Sequence, residues 1–146
     1  FPDKIIFHAN AENIPLNDKS INTIISFHFF MHLDLERIKV ILNECNRILK
    51  DDGRIIFDIP SAKRRKLLNF KSKNWHGRTS LTIEEINRIN NNFEVKRTYG
   101  FLFIPVHRLP KSLRYLFLKL DRKLSNSFLK EFSSYQIIEL VKKCIH

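Results

Sequence analysis

NECNRILKDDGRIIFDIP, residues 43–60, reads as the end of an amphipathic helix, an acidic-glycine stop and a buried strand. The helix starts earlier, at Asp34, an N-cap residue placed just before the apolar period begins. Leu35, Ile38, Ile41, Leu42, Cys45, Ile48 and Leu49 follow in steps of three and four, so they share one helix face. Asp51-Asp52-Gly53 should end the helix, with Gly53 in the left-handed C-terminal cap. Ile55, Ile56, Phe57 and Ile59 are too few for a helix and too continuously apolar for a half-exposed strand, which predicts a strand covered on both faces.

Upstream, ANAENIPLNDKSINTIIS (9–26) is rich in turn residues and ends in a short apolar run. A strand, a helix and a second strand in this order need a crossover and so favour a parallel sheet. The class is α/β. Lys4–His8 (KIIFH) reads as a further short strand before the turn, and Thr23–Phe27 as the strand after it. Ser26, Phe27 and His28 therefore stand at the carboxyl end of a strand, where open α/β sheets bind ligands.

On these residues the chain resembles the second half of the cofactor domain of class I S-adenosylmethionine-dependent methyltransferases, the methyltransferase type 11-like group. Asn10-Ala11-Glu12-Asn13-Ile14-Pro15-Leu16 is similar to the family's passage after its third strand. Glu44-Cys45-Asn46-Arg47-Ile48-Leu49-Lys50-Asp51-Asp52-Gly53-Arg54-Ile55 matches its E-x-x-R-x-L-K-P-G-G stretch. The likeness covers about the first 60 residues and departs in three places. Asn10 stands where the family has Asp, Ile21-Asn22 where it has Phe-Asp, and the three glycines, Gly53, Gly77 and Gly100, form no glycine-rich turn.

The resemblance implies a partial Rossmann-like sheet of the family's strands three to seven with covering helices, strands one and two missing. The family's strand order is 3-2-1-4-5-7-6. The expected layout is one truncated domain over residues 1–146, in which residues 1–60 are the second half of the cofactor domain. Residues 61–146 are then a basic C-terminal part with a helical insertion at 109–132. By the same resemblance the cofactor is S-adenosyl-L-methionine, contacted by Asn10, Ala11, Ser26, Phe27 and His28. Asn10 and Ala11 would bond the adenine edge, and His32, Trp75 and His76 would face the methyl acceptor, a small molecule, lipid or sugar. The catalytic residue stays open, because methyl transfer needs a base only when the acceptor must lose a proton. A histidine in an aromatic cluster such as FHFFMH (27–32) also reads as a packing residue.

Charge divides the chain. Residues 1–60 hold seven Lys/Arg against nine Asp/Glu, residues 61–146 nineteen against six. Such asymmetry fits an anionic partner or a Lys-rich solvated surface. Ser61–Lys73 (SAKRRKLLNFKSK) carries six of the cations and no acid, and reads as a short helix and crossover. Thr82-Ile83-Glu84-Glu85 is a capping box, Asn90–Asn92 stops its helix, and Phe93–Tyr99 alternates as a strand. Along 109–132, Leu113, Leu116, Phe117, Leu120 and Leu124 line one helix face and Arg114, Lys119, Arg122 and Lys123 lie off it. Packing on the core is the first reading of that helix, peripheral contact with an anionic membrane the second. Ser134–Lys142 reads as the last strand, antiparallel to the one before.

Two cysteines, Cys45 and Cys144, make neither a metal nor a disulfide pattern, which fits a reducing cytoplasmic setting. No nucleic-acid motif appears. The functional expectation is methyl transfer carried out as part of a longer chain. Its alternative is a catalytically inactive fragment or binding domain that uses the basic half on an anionic partner.

Overall fold

The computed structural model describes residues 5–69 and 79–143. Its spine is β1 (Ile21–Ser26), α1 (Leu35–Ile48) and β2 (Leu49–Pro60). β1 and β2 are parallel, with Thr23 opposite Arg54 and Ser26 opposite Phe57, so α1 is the crossover the sequence required. The Asp34 carboxylate accepts the Arg37 N–H at 2.9 Å and caps α1. Ile38, Ile41, Leu42, Cys45 and Ile48 turn inward, whereas Leu35, at the first turn, stays exposed. Burying each of the five stabilises by about 1.5–3 kcal/mol before ordering costs are counted.

The helix does not end at a left-handed glycine. Leu49 leaves it in extended geometry (φ −73°, ψ 138°) and opens β2 directly, four residues before Gly53. Gly53 is needed for space instead: a Cβ there would lie 2.8 Å from the Lys50 carbonyl oxygen and 2.9 Å from Leu49 Cδ2. β2 is central, with Ile55, Phe57 and Ile59 buried on one face and Asp58 buried on the other.

After β2, Ser61 caps α2 (Ala62–Leu67) through the Arg64 N–H, and Thr82 and Glu85 close both halves of the capping box on α3 (Ile83–Ile89). Then come β3 (Phe93–Phe101), α4 (Lys111–Ser125), a 3₁₀ turn at Phe128–Phe132 and β4 (Tyr135–Lys142). The helical stretch expected at 109–132 is thus a helix followed by a separate turn. β4 lies between β2 and β3, antiparallel to both, so the sheet order is β1-β2-β4-β3. Ile138 and Leu140 of β4, Phe93 of β3, Leu81 and Ile86 join the α1 side chains in one core.

Residues 5–8, expected as a strand, form none and are exposed. An isolated extended run has no ladder to complete, and in the implied sheet this segment would pair with a strand not among the described residues.

Candidate active site

The passage after the implied third strand is a turn held from outside. Asn10 folds it: its carbonyl accepts Asn13 N–H and its side-chain Oδ1 accepts Glu12 N–H, both at 3.0 Å. The clamp is Glu44 with Arg47 on α1. Arg47 donates to the carbonyls of Ile14 (2.9 Å) and Leu16 (2.8 Å) and to Asp18 Oδ1 (2.6 Å), while Glu44 Oε1 accepts Ile14 N–H at 2.7 Å. Arg47 beside it, and then the Ile14 N–H, hold the Glu44 carboxyl below its ordinary pKa against the opposing effect of burial. The E-x-x-R spacing therefore places the turn that carries Asn10 and Ala11. Ala11 packs against the core, and Asn10 is exposed.

A second group of residues meets at the carboxyl ends of β1 and β2. Phe27, His28, Asp58, Phe101, Leu102, Tyr135 and Ile137 line a cavity of about 490 Å³. Asp58, 6% exposed, accepts the His28 backbone N–H at 2.6 Å, and its other oxygen lies 3.6 Å from His28 Nδ1. The His28 ring is exposed and meets Tyr135 edge-on at 6.0 Å. Two of the lining residues, His28 (φ 54°) and Leu102 (φ 55°), hold left-handed backbone that non-glycine residues adopt rarely. Asp58 fixes the first of these, and Ser134 donates from both its N–H and its hydroxyl to the Leu102 carbonyl at the second. Strain held in place by surrounding bonds is typical of sites where geometry has a use.

The expected residues thus divide. Phe27 and His28 line the cavity, and Ser26, half-buried, ends the strand that leads into it. Asn10 and Ala11 sit on the clamped turn and are not part of the lining. His32 closes the 3₁₀ turn Phe30–His32, donating its N–H to the Phe29 carbonyl. Trp75 and His76 lie outside the described residues. Asp58, Phe101, Leu102, Tyr135 and Ile137 were not anticipated. Asp58 was the one with a signal: a carboxylate within the buried run IIFDIP demands a partner. No group of His, Cys, Asp and Glu among the described residues could hold a metal ion.

The sheet order decides the fold. β1-β2-β4-β3 is the 4-5-7-6 portion of the order that the sequence resemblance implied. The fold is that of the class I methyltransferases. Residues 2–57 match a family model described as a methyltransferase domain. A solved structure from Thermotoga maritima, described as an S-adenosylmethionine-dependent methyltransferase and possible histamine N-methyltransferase, superposes with a TM-score of 0.64 at 20% identity. The match covers 92% of this chain and 62% of that one. A putative methyltransferase of Haloferax volcanii, solved with the Trm112 activator, gives a TM-score of 0.60 at 14% identity over 92% and 60% of the two chains. In sequence, an uncharacterized protein of Methanocaldococcus jannaschii is 31% identical over 150 residues, covering 91% of this chain and 59% of that protein. The chain therefore spans about three fifths of the relatives it matches.

Asn10 offers an exposed amide whose Oδ1 keeps a second lone pair beside the Glu12 bond. Of the described glycines, Gly53 and Gly100 both lie within strands, so neither builds a phosphate- or ribose-type glycine turn.

Proposed function

We propose that the chain serves S-adenosylmethionine-dependent methyl transfer to a small-molecule, lipid or sugar acceptor, with the glycine-rich turn supplied by further sequence of a longer polypeptide. The observation that carries this reading is the cavity at the carboxyl ends of parallel β1 and β2, where Asp58 holds His28. The methyltransferase-domain match over residues 2–57 and the greater length of the relatives support it.

The cofactor supplies an electrophilic methyl group, and the protein's task is to align and dry the reacting centre. Asn10 and Ala11 bond the adenine edge. Ser26, Phe27 and His28 border the cofactor at the end of β1, and Phe101, Leu102 and Ile137 give the acceptor an apolar seat that excludes water. For an acceptor with an O–H or N–H to lose, His28 takes the proton at Nε2, the ring nitrogen remote from Asp58. The buried Asp58 carboxylate then faces the imidazolium across the 3.6 Å gap at Nδ1.

Amide chemical-shift mapping with S-adenosylhomocysteine tests the assignment without an acceptor. The reading predicts shifts at Asn10–Glu12 and Ser26–His28, reduced at the first group in Asn10→Ala and retained in His28→Ala. Saturating ligand that leaves both groups unmoved would overturn it.

A further inference from the structure

α4 is attached mainly through a polar side, with only one edge of its apolar stripe turned inward. Arg114, Asp121 and Ser125, spaced by seven and four, share one side of it. That side makes its attachments. Arg114 donates to the carbonyls of Leu109 (2.9 Å) and His107 (3.1 Å), Asp121 Oδ1 accepts Ile104 N–H at 2.7 Å, and Ser125 is the buried residue of the helix. The apolar stripe is centred roughly a quarter turn away: Phe117 and Leu124, at its edge nearest these attachments, are half-buried, and its outer members are open, Leu113 being 44%, Leu116 65% and Leu120 45% exposed. Phe128, just beyond the helix, is almost wholly exposed, while Tyr115 and Leu118, also exposed, lie on other sides of α4. An exposed apolar patch of this extent marks an interaction surface.

Charge identifies the occupant. α4 carries Lys111, Arg114, Lys119, Arg122 and Lys123 against one acid, Asp121, whose carboxylate is already engaged. Lys119 and Lys123 border the leucine stripe by helical position, and Lys119 also sits 4.6 Å over the Tyr115 ring. Lysines beside such a stripe bury their stems and keep their charged ends at a polar boundary. A second copy of the chain, at net charge +11, would bring like charges together along this line. An anionic bilayer offers apolar depth and negative charge in the same geometry.

We propose that α4 docks on the surface of an anionic lipid membrane, with Leu113, Leu116 and Leu120 in the acyl boundary and Lys119 and Lys123 at the headgroups. The contact is peripheral: no helix of the described residues is long and apolar enough to cross a membrane. It also borders the candidate active site. A second cavity of about 640 Å³, at the base of α4, includes Phe101, Tyr115, Leu118 and Lys119, and Phe101 lines both cavities. Docking stands on α4 alone and would hold whether or not methyl transfer does.

Co-sedimentation with phosphatidylglycerol vesicles, against phosphatidylcholine vesicles, tests it. Binding to the anionic vesicles should be at least tenfold tighter than to the neutral ones, on the order of the gain from two or more headgroup cations. It should weaken as salt rises. Lys119→Gln/Lys123→Gln should cost on the order of thirtyfold, about one kcal/mol for each cation, and Leu116→Glu/Leu120→Glu at least about tenfold, since both apolar burial and charge then oppose binding. Circular dichroism confirms that each variant is folded. Equal binding to both vesicles, indifference to both double variants, or a dimer in sedimentation velocity that Leu116→Glu/Leu120→Glu dissolves would each overturn the proposal.

Discussion

α1 and α4 are nearly the same helix by pattern, 14 and 15 residues long and both amphipathic, yet they meet the protein in opposite ways. α1 puts its apolar stripe into the core, begins at a capping Asp34 and spends its polar face on clamping the Asn10 turn. α4 begins at Pro110 without a side-chain cap, attaches through Arg114, Asp121 and Ser125, and leaves Leu113, Leu116 and Leu120 outside. Periodicity reports that a helix has an apolar face. What that face meets depends on the chain before and after it: α1 crosses between two paired strands and must lie on them, whereas α4 leaves the outer strand β3 and returns to β4 without crossing the sheet.

The largest test of that contrast is truncation in the two stripes. Leu42→Ala in α1 should cost about 2–5 kcal/mol in urea unfolding, because Leu42 is surrounded by core side chains and leaves a cavity. A cost below about 1 kcal/mol would place α1 outside the core. Next comes the joint that fixes the end of α4. A Cβ on Gly100 would collide with Ser133 Oγ and lie 2.6 Å from the Ser125 carbonyl oxygen and 2.9 Å from that of Lys130. Gly100→Ala should therefore cost about 1–3 kcal/mol by overpacking and shift the amide signals of α4 more than those of α1.

Asp34→Ala should lose about 1 kcal/mol as the α1 cap disappears, whereas Pro110→Ala removes no side-chain cap from α4. Acid gives a further separation. Glu44 has its pKa held down chiefly by Arg47, so its contribution is complete above the ordinary carboxylate range and is lost as pH falls through the lowered value. Stability measured against pH should show wild type and Glu44→Gln well apart near pH 7 and converging only as pH falls below the ordinary carboxylate range; a gap that stays constant would deny the clamp its charge. The smallest effect is Leu116→Ala in α4, expected within about 0.5 kcal/mol, as for other exposed positions.

Much of this was legible in the sequence. The N-cap at Asp34, the inward positions of α1 from Ile38 on, the capping box at Thr82 and the alternation of β3 are local signals, and each formed where its chemistry called for it. The sheet order came through resemblance, since no residue pattern states which strands adjoin. Gly53 misled because acidic-Gly after a helix usually marks a left-handed cap, while here Leu49 enters the strand first. The candidate cavity was half visible: Phe27 and His28 follow from the strand-end rule, but Tyr135 and Phe101 arrive from strands more than seventy residues downstream. Only the β2–β4–β3 pairing brings them there. The outward stripe of α4 was only the second reading of its pattern, because the same spacing suits a core helix.

Hydroxyl-radical footprinting read residue by residue compares the two stripes in a single experiment. Leu113, Leu116 and Leu120 should be oxidised at rates near those of exposed leucines, with Ile41 and Leu42 protected in the same sample. Protection of the α4 leucines in the folded, vesicle-free monomer would mean that α4 packs as α1 does, and would contradict the account.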